Sequence, residues 1–175
     1  MKTTITSGQI MKLLMLLEEQ GVTPESFQIA LENGMVADHL KQVASLNDKL
    51  AELIVLAKFD WVNNNIVAQK FPVKKVPKLE GEKIFYFDWS ISSKGAIAEM
   101  EKAGYRPATM AEGLVYAAKN PEEQRKYPIV LLGYVAMVGN CHCVGVLGER
   151  LSKRELDLCN FGDGWSGCRF LAVAK

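Results

Sequence analysis

The chain is expected to fold as α+β, with a small helical module ahead of a sheet-rich domain. Three observations predict this. In the first sixty positions, apolar residues recur at three- and four-residue intervals. Two later runs, Lys83–Trp89 and Tyr127–Val135, are dense in β-branched and aromatic residues. The chain closes on Arg169-Phe170-Leu171-Ala172-Val173, too apolar to stay unpaired at a surface.

The helical module spans 1–69. Ser7 caps a predicted helix over Gly8–Gln20, with Ile10, Leu13, Leu14 and Leu17 on one face, and Gly21 ends it. Thr23-Pro24-Glu25 starts a second helix, a capping residue followed by proline at the first helical position. Asn33-Gly34 terminates it after Glu32. Further helices are expected over Val36–Leu46 and Asp48–Phe59. Two short helices in series raise the question of a helix-turn-helix. The second carries two Glu and no Lys or Arg, which sets it against phosphates. Packing, docking to an assembly or self-association is the preferred role.

Residues 70–81 read as a connector. Phe71-Pro72 and Val76-Pro77 exclude a continuous helix or a central strand, and four lysines suggest a solvated face. The second domain spans 82–175. After its first strand, Ser93–Ala103 is a helix stopped by Gly104. Thr109 caps another over Met110–Lys119, stopped by Asn120-Pro121. Tyr127–Val135 is a strand. Val138–Gly148 is glycine-rich without helical period and is expected to be loop, as is Phe161–Gly167. Leu156–Leu158 alternates as a short strand. The terminal strand should pair with the first, over Ile84–Trp89, joining the ends of the domain.

Twenty-one basic and 20 acidic residues leave a formal charge of +1. That balance gives no general attraction to nucleic acid or an anionic membrane. No apolar run reaches the length of a membrane span. The first segment is amphipathic rather than leader-like, so the expected location is the cytoplasm or a virion assembled there. The four cysteines, Cys141, Cys143, Cys159 and Cys168, all lie in the last 35 residues.

Local motifs now suggest a family. Gly104-Tyr105-Arg106-Pro107-Ala108-Thr109-Met110-Ala111-Glu112 is similar to the G-x-R-L-P-T-E-A-E segment of the C-type lectin fold in its formylglycine-generating-enzyme-like branch. Tyr116-Ala117-Ala118-Lys119 resembles the end of that branch's second helix, and Arg169-Phe170 its last strand. The sequence differs at Ala108, where the family usually has proline, and at Gly113, where an aromatic is usual. The resemblance covers about half the chain. Within the branch it is strongest to the variable proteins of diversity-generating retroelements. In these, mutagenic reverse transcription rewrites the C-terminal part of the lectin fold at template adenines. It implies a C-type-lectin-like domain that binds a protein or glycan target without catalysis and without a cofactor.

The residues can be checked against that implication. Adenine-directed change of an AAC or AAT codon reaches neither Lys, Glu, Gln, Met nor Trp. Val138–Gly148, Cys159–Gly164 and Ser166–Cys168 contain none of these types. Lys153 and Glu155, between the patches, are unreachable. The expected ligand-facing residues are Tyr134, Ala136, Val138, Asn140, Cys141, His142, Cys143 and Val144, with Cys159, Asn160, Phe161, Gly162, Gly164, Ser166 and Cys168. Tyr134, His142 and Phe161 offer most contact area at low entropic cost. Trp165 reads as a core anchor and Asp163 as a turn residue.

The cysteines allow two other readings. Thiolate and imidazole are zinc's preferred ligands, so Cys141-His142-Cys143 with Cys159 and Cys168 suggests a zinc-dependent module. The C-x-C spacing, with partners 16 and 25 residues beyond Cys143, lacks the usual knuckle. A formylglycine-generating-type enzyme would need an activated thiol. Neighbours on an extended segment face opposite sides, so His142 is badly set to activate either adjacent cysteine. Asp157 and Asp163 are isolated and make no calcium cluster. The preferred reading takes the cysteines as random codon outcomes with no metal and no catalysis.

Overall fold

The computed structural model describes residues 23–34 and 49–175. The chain divides into two units between Gln42 and Val43. In the first, α1 is Pro24–Glu32. Ser26 N–H bonds the Thr23 hydroxyl at its start, and Gly34 follows it at φ 72°. Cap and stop therefore fall at the expected residues. The helices expected over Gly8–Gln20 and Val36–Leu46 lie outside the described residues.

In the second unit, helix α2 covers 49–57. Then come β1 (Trp61–Val62), β2 (Glu82–Tyr86), β3 (Ile91–Ser92) and α3 (Ser93–Lys102). β4 (Tyr105–Pro107), α4 (Met110–Lys119) and α5 (Glu123–Lys126) follow. The rest is strand: β5 (Ile129–Val138), β6 (Cys141–Arg150), β7 (Lys153–Asn160), β8 (Gly164–Trp165) and β9 (Arg169–Ala174). The unit is mixed α+β around a seven-stranded sheet, ordered β1-β7-β6-β5-β9-β2 with β4 also on β9. β3 and β8 form a separate pair.

The terminal strand pairs antiparallel with the first long one, Glu82 opposite Val173 through Tyr86 opposite Arg169. β5 and β9 are parallel at Val130–Phe170. Both are covered on both faces, which explains their continuous apolar runs. Ile129, Leu131, Leu171 and Val173 face one core, with Leu53, Phe71 and Leu114. Val130, Leu132, Phe170 and Ala172 face the other, with Ala96, Met100 and Trp165.

Two expectations are corrected. Residues 70–81 are no solvated connector: Phe71, Val73 and Leu79 are buried in the same core as α2, α4 and the sheet. Lys74, Lys75 and Lys78 face outward, as do Pro72 and Val76, while Phe71, Val73 and Leu79 between them give the stretch a packed position. The expected boundary at 69–70 therefore cuts through one core. Second, Val138–Gly148 is not loop. Most of it is β6, paired along its length with β7 from Cys143–Asn160 to Arg150–Lys153. Gly145 makes room for a large neighbour. A Cβ on Gly145 would come within 2.6 Å of the Met110 side chain.

Gly113 lies under Leu131, whose Cδ1 would be 2.2 Å from an added Cβ, so the aromatic usual in the resembling family has no room here. The motif around it forms a node. Arg106 makes two bonds to the buried Glu112 carboxylate, at 2.6 and 3.0 Å. Thr109 and Glu112 form a reciprocal capping box at the start of α4. Ala108 N–H bonds Leu171 O, and its carbonyl accepts Gly133 N–H, both at 2.9 Å.

Candidate ligand-binding surface

The two expected patches are separated in sequence but meet at one end of the sheet. β5 turns into β6 through Gly139-Asn140, with Gly139 at φ 59°. Val138 pairs with Cys141, and Cys143 with Asn160 on β7. The Phe161 N–H then donates to His142 O across 2.8 Å. Asn140, Cys141 and His142 from the first patch are exposed, as are Asn160, Gly162, Gly164 and Ser166 from the second. Val138, Cys159, Phe161 and Cys168 are half-buried. The intervening Arg150–Lys153 turn lies at the opposite end of the β6–β7 hairpin.

Three of the expected surface residues are turned inward. Ala136 and Cys143 are buried, and Val144 is fully inside the second core. Strand alternation is the reason: Val144 points into the core beneath α3, while Ala136 joins the core on the opposite side. Tyr134 is exposed, but its ring leans on Phe71, with centroids 5.9 Å apart, beside the 71–77 segment. It is presented by a wide bulge, in which β5 runs from Leu131 to Ala136 while β6 advances only from Gly145 to Cys143. Gly133 lets this bulge touch the Pro107–Ala108 backbone, where a Cβ would fall 2.5 Å from Pro107 O.

The second patch is anchored by Trp165, which is buried as expected. Its indole N–H donates to the Ser93 hydroxyl at 2.8 Å, and that hydroxyl donates to Phe161 O at 2.5 Å. β8 pairs with β3 through Ile91–Trp165 and Ser92–Gly164. The Phe161–Cys168 segment is thereby tied to the start of α3 and to the sheet. Sequence reasoning assigned no surface role to Trp89, which is 61% exposed, or to Met137, opposite His142 and 54% exposed. The expected first strand runs to Trp89; the observed one stops at Tyr86. Period-2 counting from His142 across the hairpin would have exposed Met137.

The four thiols do not converge. Cys143 lies on the sheet face opposite Val144, whereas Cys159 and Cys168 pack against the core that contains Val144. Cys141 is exposed at the start of β6, and its carbonyl lies 3.8 Å from the Cys143 sulfur. All four are free. Among the described residues, no group of three or more Cys, His, Asp or Glu is arranged to hold a metal ion. Burial pushes the thiols of Cys143, Cys159 and Cys168 above their ordinary value, with Lys70 and Arg169 opposing this at Cys143 and Cys168 respectively. Such thiols are largely protonated at neutral pH.

A second feature escaped the sequence altogether. Arg154 is buried, and its guanidinium donates to Ala57 O (2.7 Å), Lys58 O (3.2 Å), Ala117 O (3.1 Å) and the Gln124 side-chain oxygen (3.0 Å). Gln124 in turn donates to Gly148 O and Glu155 O at 2.6 and 3.2 Å. Arg154 thus joins the C-terminal turns of α2 and α4 to the β6–β7 hairpin, a favourable position for a cation. The bridge lies toward the end of the β6–β7 hairpin that carries the Arg150–Lys153 turn.

Among the described residues, no helix is long and apolar enough to cross a membrane. Comparison of the chain with family models, with curated proteins and with solved structures returned no match.

Proposed function

We propose that the chain is a non-enzymatic binding protein whose C-terminal domain is C-type-lectin-like and carries a surface diversified by a retroelement. The surface consists of Val138, Asn140, Cys141 and His142 with Asn160, Phe161, Gly162, Gly164 and Ser166, and Cys159 and Cys168 at its margin. It recognises a protein or glycan target. Ala136, Cys143 and Val144, buried in the fold, are left out of it, and so is Tyr134, which is exposed but leans on Phe71 away from the two patches.

One observation carries the reading. Two segments free of adenine-unreachable residues, apart from Trp165, are joined by the Phe161–His142 bond at one end of the sheet. The charged turn between them is at the other end. Trp165, the exception, is the buried anchor and not a contact residue. A rigid frame with freely varied loop and edge positions is what such diversification requires, since buried positions tolerate little change. Antiparallel pairing of the two ends of the domain is in keeping with the lectin-like fold.

The test is the DNA beside the coding region. A near-copy of the 3′ coding end, differing mainly at adenines and next to a reverse transcriptase gene, is expected. Differences should concentrate in the codons for 138–142 and 159–168. Absence of the copy, or differences spread evenly over the four nucleotides, sinks the proposal.

A further inference from the structure

A groove of about 510 Å³ runs between the 71–77 segment and the start of α4, within the usual size of ligand sites. Its floor is apolar: Phe71, Val73 and Met110 are buried, and Ala111 lies beside them. Tyr134 forms the opposite wall, 40% exposed and resting on Phe71. Pro72 and Pro77 fix the backbone of the near wall, so the shape exists before any ligand arrives.

The rim carries one sign of charge. Lys74 and Lys75 line it and Lys78 follows in the same segment, all exposed. Among the described residues, no carboxylate pairs with these three lysines. The acid in the wall, Glu112, is already held by two bonds from Arg106 and by Thr109. The groove therefore offers free positive charge above an apolar floor. A ligand that satisfies both needs carboxylates beside a large apolar group. Nucleic acid would satisfy the lysines and leave the floor empty, since of the rings lining the groove Phe71 is buried and Tyr134 alone is exposed for stacking.

We propose that this groove binds an extended acidic peptide segment of a partner protein. One large apolar side chain sits on Phe71 and Met110, and flanking carboxylates meet Lys74 and Lys75. Met supplies an adaptable floor, and the lysines steer the approach. The groove shares only Tyr134 with the expected ligand-facing residues. Its lysines, Met110 and Glu112 are types that adenine-directed change does not make. Its binding therefore stands or falls independently of the diversified surface.

The test uses the full chain and fluorescence anisotropy with a labelled hexapeptide of Asp and Glu around a single Phe. Binding is expected, weakened by about fivefold or more when Ala replaces the Phe. The double variant Lys74→Glu/Lys75→Glu should weaken it by about tenfold or more, and added salt should weaken it further. Both lysines are exposed, and circular dichroism of the variant establishes that the fold is kept. No binding at ~1 mM protein overturns the proposal. So does equal affinity for the Ala-centred peptide, equal affinity of the double variant, or tighter binding of a labelled single-stranded RNA hexamer.

Discussion

The Trp165 indole N–H and the Ser93 hydroxyl lie 2.8 Å apart, a bond between residues 72 positions apart that ties the short strand β8 to the start of α3. Ser93 passes the connection on to Phe161 O. Ser93→Ala leaves a buried indole N–H and a carbonyl without partners, which costs about 1–3 kcal/mol. Urea denaturation should report this as a lower midpoint with an unchanged slope. Hydrogen exchange should accelerate first across Phe161–Cys168. A variant with wild-type midpoint and exchange would mean that the bond does not hold that segment.

Glu112 makes stability depend on acid pH. Burial raises its pKa, but the Arg106 guanidinium and the Thr109 N–H and hydroxyl lower it further and prevail. The folded value is thus below the unfolded one. The associated stability is complete above the pKa of an unfolded-chain glutamate. It is lost as the pH falls through that value toward the lower, folded one. Glu112→Gln should flatten this part of the stability–pH curve, and Arg106→Met should do so in part. Thermal melts from neutral pH down to the acid limb provide the measurement; parallel curves for wild type and Glu112→Gln would rule the linkage out.

Much of this frame was legible from local signals. Thr109 followed by Glu112 marks the start of α4, and the observed helix keeps the expected bounds, Met110–Lys119. The β2–β9 pairing followed from an apolar terminal segment in need of a partner. β6 was not legible, because Gly145 and Gly148 mask the strand period. The space at Gly145 is filled by Met110, 35 residues away. The lysines and prolines of 70–81 suggest a solvated connector, but Phe71, Val73 and Leu79 alternate with them and carry the segment into the core. In the candidate surface, residue types picked out two segments that meet at one end of the sheet but not the inward side of each strand. Arg154 gave no sequence signal, since burying it depends on carbonyls contributed by two distant helices.

The thiols separate a binding surface from a thiolate enzyme. Cys141 is exposed, while burial holds up the other three. With a disulfide reagent at neutral pH, mass mapping should find Cys141 modified first, and Cys143, Cys159 and Cys168 should gain reactivity only toward alkaline pH. Any of the four reacting rapidly below neutral pH would favour the enzymatic alternative.

The β6–β7 turn is built from poorly suited residues. Leu151 and Ser152 both adopt positive φ, 52° and 62°, in a two-residue connection between Arg150 and Lys153. Such turns favour Asn-Gly, because side chains with a Cβ are strained there. Leu151 is also 91% exposed, so its side chain offers little packing in return. Leu151→Asn with Ser152→Gly should raise stability by about 1 kcal/mol. A melting temperature at or below wild type would contradict the strain.

Arg154 gives the sharpest test of how the second unit is held together. Its guanidinium spans Ala57 O and Lys58 O at the end of α2, Ala117 O in the last turn of α4, and Gln124. Arg154→Met keeps much of the apolar volume but leaves those buried oxygens unpaired, at about 2–4 kcal/mol. Arg154→Lys keeps the charge yet lacks the planar fork that reaches two helices at once, so it should restore less than half of that loss. Hydrogen exchange distinguishes this bridging from general destabilisation. Residues 49–57 should lose protection more than β2 and β9, because those strands are paired elsewhere and touch no part of the bridge. Uniform loss of protection across the unit, or full rescue by lysine, would mean that Arg154 serves only as buried charge and not as the clamp between α2 and α4.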